Sequence, residues 1–260
     1  MHPSIHAKTN PDKPAVILAE TGETLTFKQL DEASNRVAQF FRSRGLKAED
    51  VVGFMVENTP AYYALTWGAQ RSGLRYVCLS TRLTADEADY ILQNSGSRML
   101  VMSASLAPLA AQLSTEIERY ALGGEIAGYG SWEAAIAEMP ATPIADERAG
   151  VDMLYSSGTT GRPKGIVRPL PRISAKDGFA RRQMVNRYEF SADTVYLSPA
   201  PLYHAAPFTY VLNVQSFGGT VIMMEHFDAA AAIDMIEKHR VTHSQWVPTM
   251  FVRMLKLPPE

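Results

Sequence analysis

The chain has 260 residues, enough for one large or two smaller domains with ample core, and its 46% hydrophobic and 20% charged residues are the balance of a soluble globular protein. A net charge of −2 argues against a dedicated nucleic-acid binder, and the lone cysteine, Cys78, rules out an intrachain disulfide and fits a reducing cytoplasm. Met1-His2-Pro3-Ser4-Ile5-His6 lacks the apolar stretch of a signal peptide, and the longest run free of Asp, Glu, Lys and Arg, Thr194 to Met224, is broken by prolines, His204 and Gly218-Gly219, so no transmembrane segment is expected.

Short apolar runs alternate with amphipathic segments, which predicts an α/β protein with a largely parallel sheet. Pro14 to Leu18 reads as a strand, followed by a turn at Thr21-Gly22 and a return over Glu23 to Leu25. Thr26 and Gln29 form a capping box. The helix after it puts Leu30, Ala33, Val37 and Phe40 on one stripe and ends at Gly45. Val51 to Val56 is the next strand, Pro60 to Arg71 the next helix and Tyr76 to Leu79 a strand. Thr84 and Glu87 cap a helix ending near Gly96, and Met99 to Met102 is a strand. Gly123, Gly124, Gly128 and Gly130 mark an irregular connection, and Pro140 to Glu147 a linker. A boundary near Gly150 divides a first α/β subdomain, residues 1–150, from a second, residues 151–260. The second repeats the alternation: strands at Val151–Tyr155, Thr194–Leu197, Thr220–Met224 and His243–Trp246, with helices around His204–Ser216, Asp228–His239 and Pro248–Leu257. Cys78, in an apolar run, reads as a buried, inert thiol.

The most informative stretch is Tyr155-Ser156-Ser157-Gly158-Thr159-Thr160-Gly161-Arg162-Pro163-Lys164-Gly165. Glycines let the backbone turn tightly and bring N–H groups close to a ligand. Those groups, the Ser and Thr hydroxyls and the Lys164 charge suit the oxygens of a polyphosphate. The order is not that of a Walker A loop, because Pro163 stands where its second glycine should be. A flexible Ser/Thr/Gly linker would not explain the Pro-Lys-Gly ending. From Arg162 to Arg187 there are eight basic residues and one acid, Asp177, a local +7 that leaves −9 for the remainder. Most of these side chains read as a solvated face, and the sharper reading is a field that draws in phosphates.

Residues Ser156 to Gly165 resemble the phosphate-binding signature of the adenylate-forming superfamily, which includes the acyl-CoA synthetases. Other stretches are similar in family order: Thr26 to Leu30 through Gly45-Leu46, Asp50 to Pro60 with Glu57-Asn58, Ser198-Pro199-Ala200-Pro201-Leu202-Tyr203-His204, Gly218-Gly219-Thr220 with Phe227-Asp228, and Val247-Pro248-Thr249-Met250. The resemblance implies two stacked, mostly parallel sheets flanked by helices, forming an incomplete N-terminal domain of an adenylate-forming enzyme. It assigns Ser156, Ser157, Thr159, Thr160 and Lys164 to phosphate contact, and Gly158, Gly161 and Gly165 to loop shape. His204 is assigned to the border of the pocket for the carboxylic acid, with a histidine packed between helices as the bland alternative. Ala205, Ala206, Pro207 and Phe208 would leave room for an apolar tail, and Val247 to Met250 would shape a strand-to-helix turn.

The activity implied is an acid–CoA ligase using a fatty-acyl or other hydrophobic acid. ATP, Mg²⁺ and coenzyme A would be its cofactors and substrates, and a homodimer is left open. A ligase that loads a carrier protein, and a non-catalytic nucleotide-binding module, are the alternatives. Relatives usually carry a hydrophobic run ending in Ser/Thr-His after the Lys-Gly pair. Here Ile166-Val167-Arg168-Pro169-Leu170-Pro171 stands instead, so a different local backbone is expected, with the prolines delaying the next helix. The family's adenine-binding aromatic block, magnesium glutamate, ribose aspartate and C-terminal catalytic lysine find no match, so the chain reads as a fragment that is inactive alone.

Overall fold

The computed structural model describes residues 2–156, 163–177 and 187–258. In chain order the strands are β1 (Pro14–Leu18), β2 (Thr24–Thr26), β3 (Val51–Met55), β4 (Arg75–Cys78), β5 (Ser97–Ser103), β6 (Glu118–Leu122), β7 (Gly130–Ser131), β8 (Val151–Asp152), β9 (Leu154–Ser156), β10 (Lys164–Ile166), β11 (Val195–Ser198), β12 (Thr220–Met223) and β13 (His243–Ser244). They build a mixed α/β architecture of two mostly parallel sheets with helices, as expected. Two compact units interleave along the chain: Met1–Leu30 with Asn58–Pro60 and Phe179–Glu260, and Asp31–Glu57 with Ala61–Gly178. Gly150 lies inside the second of these.

The first unit holds a five-stranded sheet in the order β13-β11-β12-β1-β2, in which only β2 runs antiparallel. Parallel strands covered on both faces read as continuous apolar runs, and β12 is buried at every position. Leu197, Ile222, Met224 and Ala232 form one core cluster, against which Phe227 and Trp246 pack. Asp228 caps the helix Ala229–His239 by accepting from the Ala231 N–H at 2.9 Å. Gly218, at φ +83°, sits so close to the His6 ring that a Cβ would lie 2.8 Å from its Nδ1. Only glycine suits that turn.

The second unit holds a six-stranded parallel sheet in the order β7-β6-β5-β3-β4-β8. Its central strand, β3, is fully buried. The Thr84–Glu87 capping box and the left-handed Gly96 bound the helix Ala85–Ser95 as the sequence predicts. The Thr26–Gln29 box also forms. On the helix Phe27–Ser43 the expected Leu30, Val37 and Phe40 are buried and Ala33 is half-buried, while Ser34, Ala38 and Phe41 are buried as well and widen the face beyond the expected stripe. The helix Pro60–Arg71 comes close at Gly68, where a Cβ would lie 2.4 Å from Val37 Cγ1.

Several sequence expectations need correction. Val151–Tyr155 is not one strand: Met153 separates β8, which joins the six-stranded sheet, from β9, which pairs elsewhere. The strand at His243 stops at Ser244, and the helix from Pro248 stops at Met254. The irregular glycine connection contains β7 and is followed by a helix, Trp132–Ala137.

Candidate functional site

The strands on either side of the Ser/Thr/Gly stretch pair with each other. β9 and β10 run antiparallel, with Ser156 opposite Lys164, Tyr155 opposite Gly165 and Leu154 opposite Ile166. The stretch is therefore the connection of a hairpin whose two ends meet as a residue pair. Lys164 and Ile166 are exposed, while Gly165 between them faces inward. A Cβ on Gly165 would lie 2.9 Å from both Met153 Cε and Tyr155 Cζ, so a side chain there would press on the Tyr155 ring. That ring is anchored by its hydroxyl, which donates to Asn94 Oδ1 at 2.8 Å. Burial pushes the Tyr155 phenol above its ordinary range. Of the other predicted phosphate contacts, Ser157, Gly158, Thr159, Thr160 and Gly161 lie outside the described residues.

The basic segment is less uniform than its composition suggests. Lys164, Arg172, Lys176 and Arg187 are exposed. Arg168 instead pairs with the buried Asp152 carboxylate, at 3.2 Å to Oδ2. Its carbonyl accepts from the Arg75 guanidinium at 2.5 Å. Residues 167–171 form no regular element, and among the described residues a short 3₁₀ turn follows at Ala175–Asp177. Nothing in the sequence alone singles out Asp152 or Arg75 as its partners.

Within the other unit, the Ser198 to His204 segment leaves β11 and runs into the helix Ala205–Ser216. Asn58 brackets it. Its amide nitrogen donates to the carbonyls of Ala200 at 3.2 Å and Met224 at 2.9 Å, and its oxygen accepts from the Leu202 N–H at 2.9 Å. All three bonds are buried, so the one side chain satisfies backbone groups at Ala200 and Leu202 of the proline-rich turn and the Met224 carbonyl just past β12. Asn58→Ala is expected to cost about 2 kcal/mol in urea unfolding and to speed amide exchange at Leu202. A loss below ~0.5 kcal/mol would mean that other groups hold this turn.

His204 is the N-cap residue of that helix, exposed, and its imidazole does not cap the helix. Its ring lies 4.6 Å from that of Tyr203 at a tilt of 57°. Ala205 and Ala206 are exposed beside it, and Pro207 and Phe208 are buried. Pro248 occupies the first turn of its helix, in keeping with a turn-shaping role for Val247 to Met250. Lys164 and His204 belong to different compact units, and each is positioned by its own. Cys78 is half-buried rather than buried, and desolvation still pushes its thiol up to about 12, in keeping with an inert group. Among the described residues there is no group of three or more His, Cys, Asp or Glu that could hold a metal ion. No helix among them is long and apolar enough to cross a membrane.

Comparison with known proteins agrees with the family resemblance. The AMP-binding enzyme family matches residues 4–260. The fatty acid–[acyl-carrier-protein] ligase ScoC of Streptomyces coeruleorubidus is 30% identical over 98% of this chain and 49% of its own. The long-chain-fatty-acid–CoA ligase FadD13 of Mycobacterium tuberculosis is 30% identical over 97% of this chain and 50% of its own. The chain thus spans about half the length of these relatives. The inhibitor-bound N-terminal domain of FACL13 from Mycobacterium tuberculosis superposes with a TM-score of 0.85 at 26% identity, covering 99% of this chain and 64% of that one.

Proposed function

We propose, from the premise that this chain belongs to the AMP-binding enzyme family, that it serves an acid–thiol ligase. In the first step a carboxylate oxygen of a hydrophobic acid attacks the α-phosphorus of ATP. The bond to the bridging oxygen breaks, giving acyl-AMP and pyrophosphate. In the second step the thiol of coenzyme A loses its proton, its sulfur attacks the acyl carbonyl and AMP leaves. Ser156, Ser157, Thr159, Thr160 and Lys164 bind the phosphates, Gly158, Gly161 and Gly165 shape the loop, and His204 borders the acid. Their contribution is positioning and charge stabilisation, because in phosphoryl-type displacement most of the barrier is lowered that way.

The observation that supports this reading most is the hairpin that sets Lys164 opposite Ser156 and so closes the Ser/Thr/Gly connection on itself. A fatty acid and a cytoplasmic site fit the FadD13 and ScoC likenesses and the lone cysteine. The ScoC likeness also favours a second reading, in which the acceptor thiol is that of a carrier protein.

The test is pyrophosphate release on mixing the full-length protein with ATP and a series of carboxylic acids, followed by addition of coenzyme A or a carrier protein. Acid-dependent release is expected, and thioester formation on one thiol names the acceptor. Because the chain spans about half of its relatives, residues 1–260 alone are expected to turn over little or not at all. A full-length protein that binds ATP yet never releases pyrophosphate would mark a binding module instead.

A further inference from the structure

We propose that Arg168 and Asp152 form a clamp that positions the phosphate-loop hairpin, with Arg75 as its backstop. The placement follows from register. β9 and β10 pair Leu154 with Ile166, and two residues further along the chain from each of these, away from the loop, stand Asp152 in β8 and Arg168 just past β10. The ion pair therefore lies on the continuation of the hairpin, at its open end, while Ser156 and Lys164 stand at the loop end.

The two ends are held differently. A two-stranded ribbon of three residue pairs is marginal by itself. Asp152, however, belongs to β8, which pairs in parallel with β4, where Tyr76 faces Asp152 and Arg75 faces Val151. The Met153 N–H donates to the Tyr76 carbonyl at 2.9 Å, which fixes the entry to β9. The exit from β10 is fixed by Arg168, whose guanidinium bonds both Asp152 oxygens, at 3.2 and 3.3 Å, and whose carbonyl takes the Arg75 bond. Entry and exit of the hairpin are thus pinned to adjacent register positions of the six-stranded sheet. The Asp152 side chain is 6% exposed, so the pair works in a partly desolvated setting where removing one partner is felt. The clamp acts through Lys164 and the loop, which makes both residues positioning residues.

The inference rests on the reading that residues 156–165 bind ATP phosphates, and its test separates the two. In the full-length protein, R168M is expected to raise KM for ATP about tenfold while KM for the acid stays within about twofold. R168K, which keeps the charge but not the fork, is expected to recover part of the loss. D152N is expected to act like R168M, and the double variant to be no worse than either alone. Independently of catalysis, amide exchange at Gly165 and Ile166 is expected to quicken about tenfold in R168M, with β3 amides unchanged. Unchanged exchange at those amides overturns the clamp whatever the activity. An unchanged KM for ATP, or equal rises for ATP and acid, overturns its role in positioning the loop. Faster exchange in a protein whose wild type releases no pyrophosphate would keep the clamp as architecture, overturn its positioning role and reject the ligase reading.

Discussion

Lys164→Ala is expected to lower acyl-adenylate formation about 10²-fold or more in the full-length protein, with folding stability unchanged to within ~0.5 kcal/mol. The two halves of that expectation come from different observations. Stability is insensitive because the side chain is exposed and makes no ion pair among the described residues. Activity is expected to be sensitive because, on the proposed reading, Lys164 stands at the closing pair of the hairpin whose connection holds the phosphates, where no other described cation shares its position in the ladder. A unit charge ~4 Å from a phosphate gains about 4 kcal/mol at an effective dielectric near 20. Desolvation offsets part of that, and a remaining ~3 kcal/mol corresponds to about two orders of magnitude in rate. Lys164→Arg should recover only part, since a planar fork cannot replace a compact ammonium at the end of a short strand. Pyrophosphate release and nucleotide affinity are the measurements. If both survive the alanine substitution, residues 156–165 do not hold phosphates and the ligase reading falls with them.

The hairpin itself was hidden in the sequence, although the loop within it was conspicuous. Ser, Thr, Gly and Lys in one short stretch advertise a phosphate cradle by their chemistry. Pairing across the loop depends instead on Tyr155 filling the space a Gly165 side chain would need, and such a match is visible only in three dimensions. Local rules did well where the cause is local: both capping boxes formed, and Gly45 and Gly96 adopt positive φ at helix ends. They failed at β6, whose Glu118-Arg119 start looks like loop. Glu118 is tied to Arg44, and Tyr120 packs edge-on against Phe40 at 5.0 Å, so distant partners make that strand. The helix Trp132–Ala137 was missed although it carries a local signal, since the Ser131 hydroxyl caps it by accepting from the Ala134 N–H at 3.2 Å, and Trp132 is further fixed against Phe40 at 5.4 Å. Asn58 shows the converse. Its place in a family-like block drew notice, yet its work, bracketing Ala200, Leu202 and Met224, could not be read from the block.

Arg71→Met is expected to be the most damaging single substitution for stability, at about 3 kcal/mol in urea unfolding. By sequence Arg71 is an ordinary basic residue in the last turn of a helix, where it would complement the helix dipole for a few tenths of a kcal/mol. In the fold its side chain is only 1% exposed, and it bonds Asp31 at 3.0 Å, Glu147 at 2.6 Å and the Ser34 hydroxyl at 2.9 Å. Glu147 ends the stretch that reads as a linker, and that stretch is stitched to the helix end. The Arg148 N–H donates to the Arg71 carbonyl at 3.1 Å, and the Gly150 N–H to that of Gln70 at 2.6 Å. Gly150 has no room for a side chain, because a Cβ would lie 2.4 Å from the Leu74 carbonyl. Methionine fills the arginine's volume, so the expected loss is electrostatic: two carboxylates, 20% and 14% exposed, left without their cation. The exposure that remains to them holds the cost toward the lower end for a broken buried pair. The same logic predicts partial rescue. Adding Asp31→Asn and Glu147→Gln to the R71M background removes the stranded charges and should recover at least ~1 kcal/mol, because a network replaced whole by neutral groups costs far less than one cut in half. A single-variant loss below ~1 kcal/mol, at unchanged m-value, would show that Arg71 is merely accommodated and that its carboxylates find water without it.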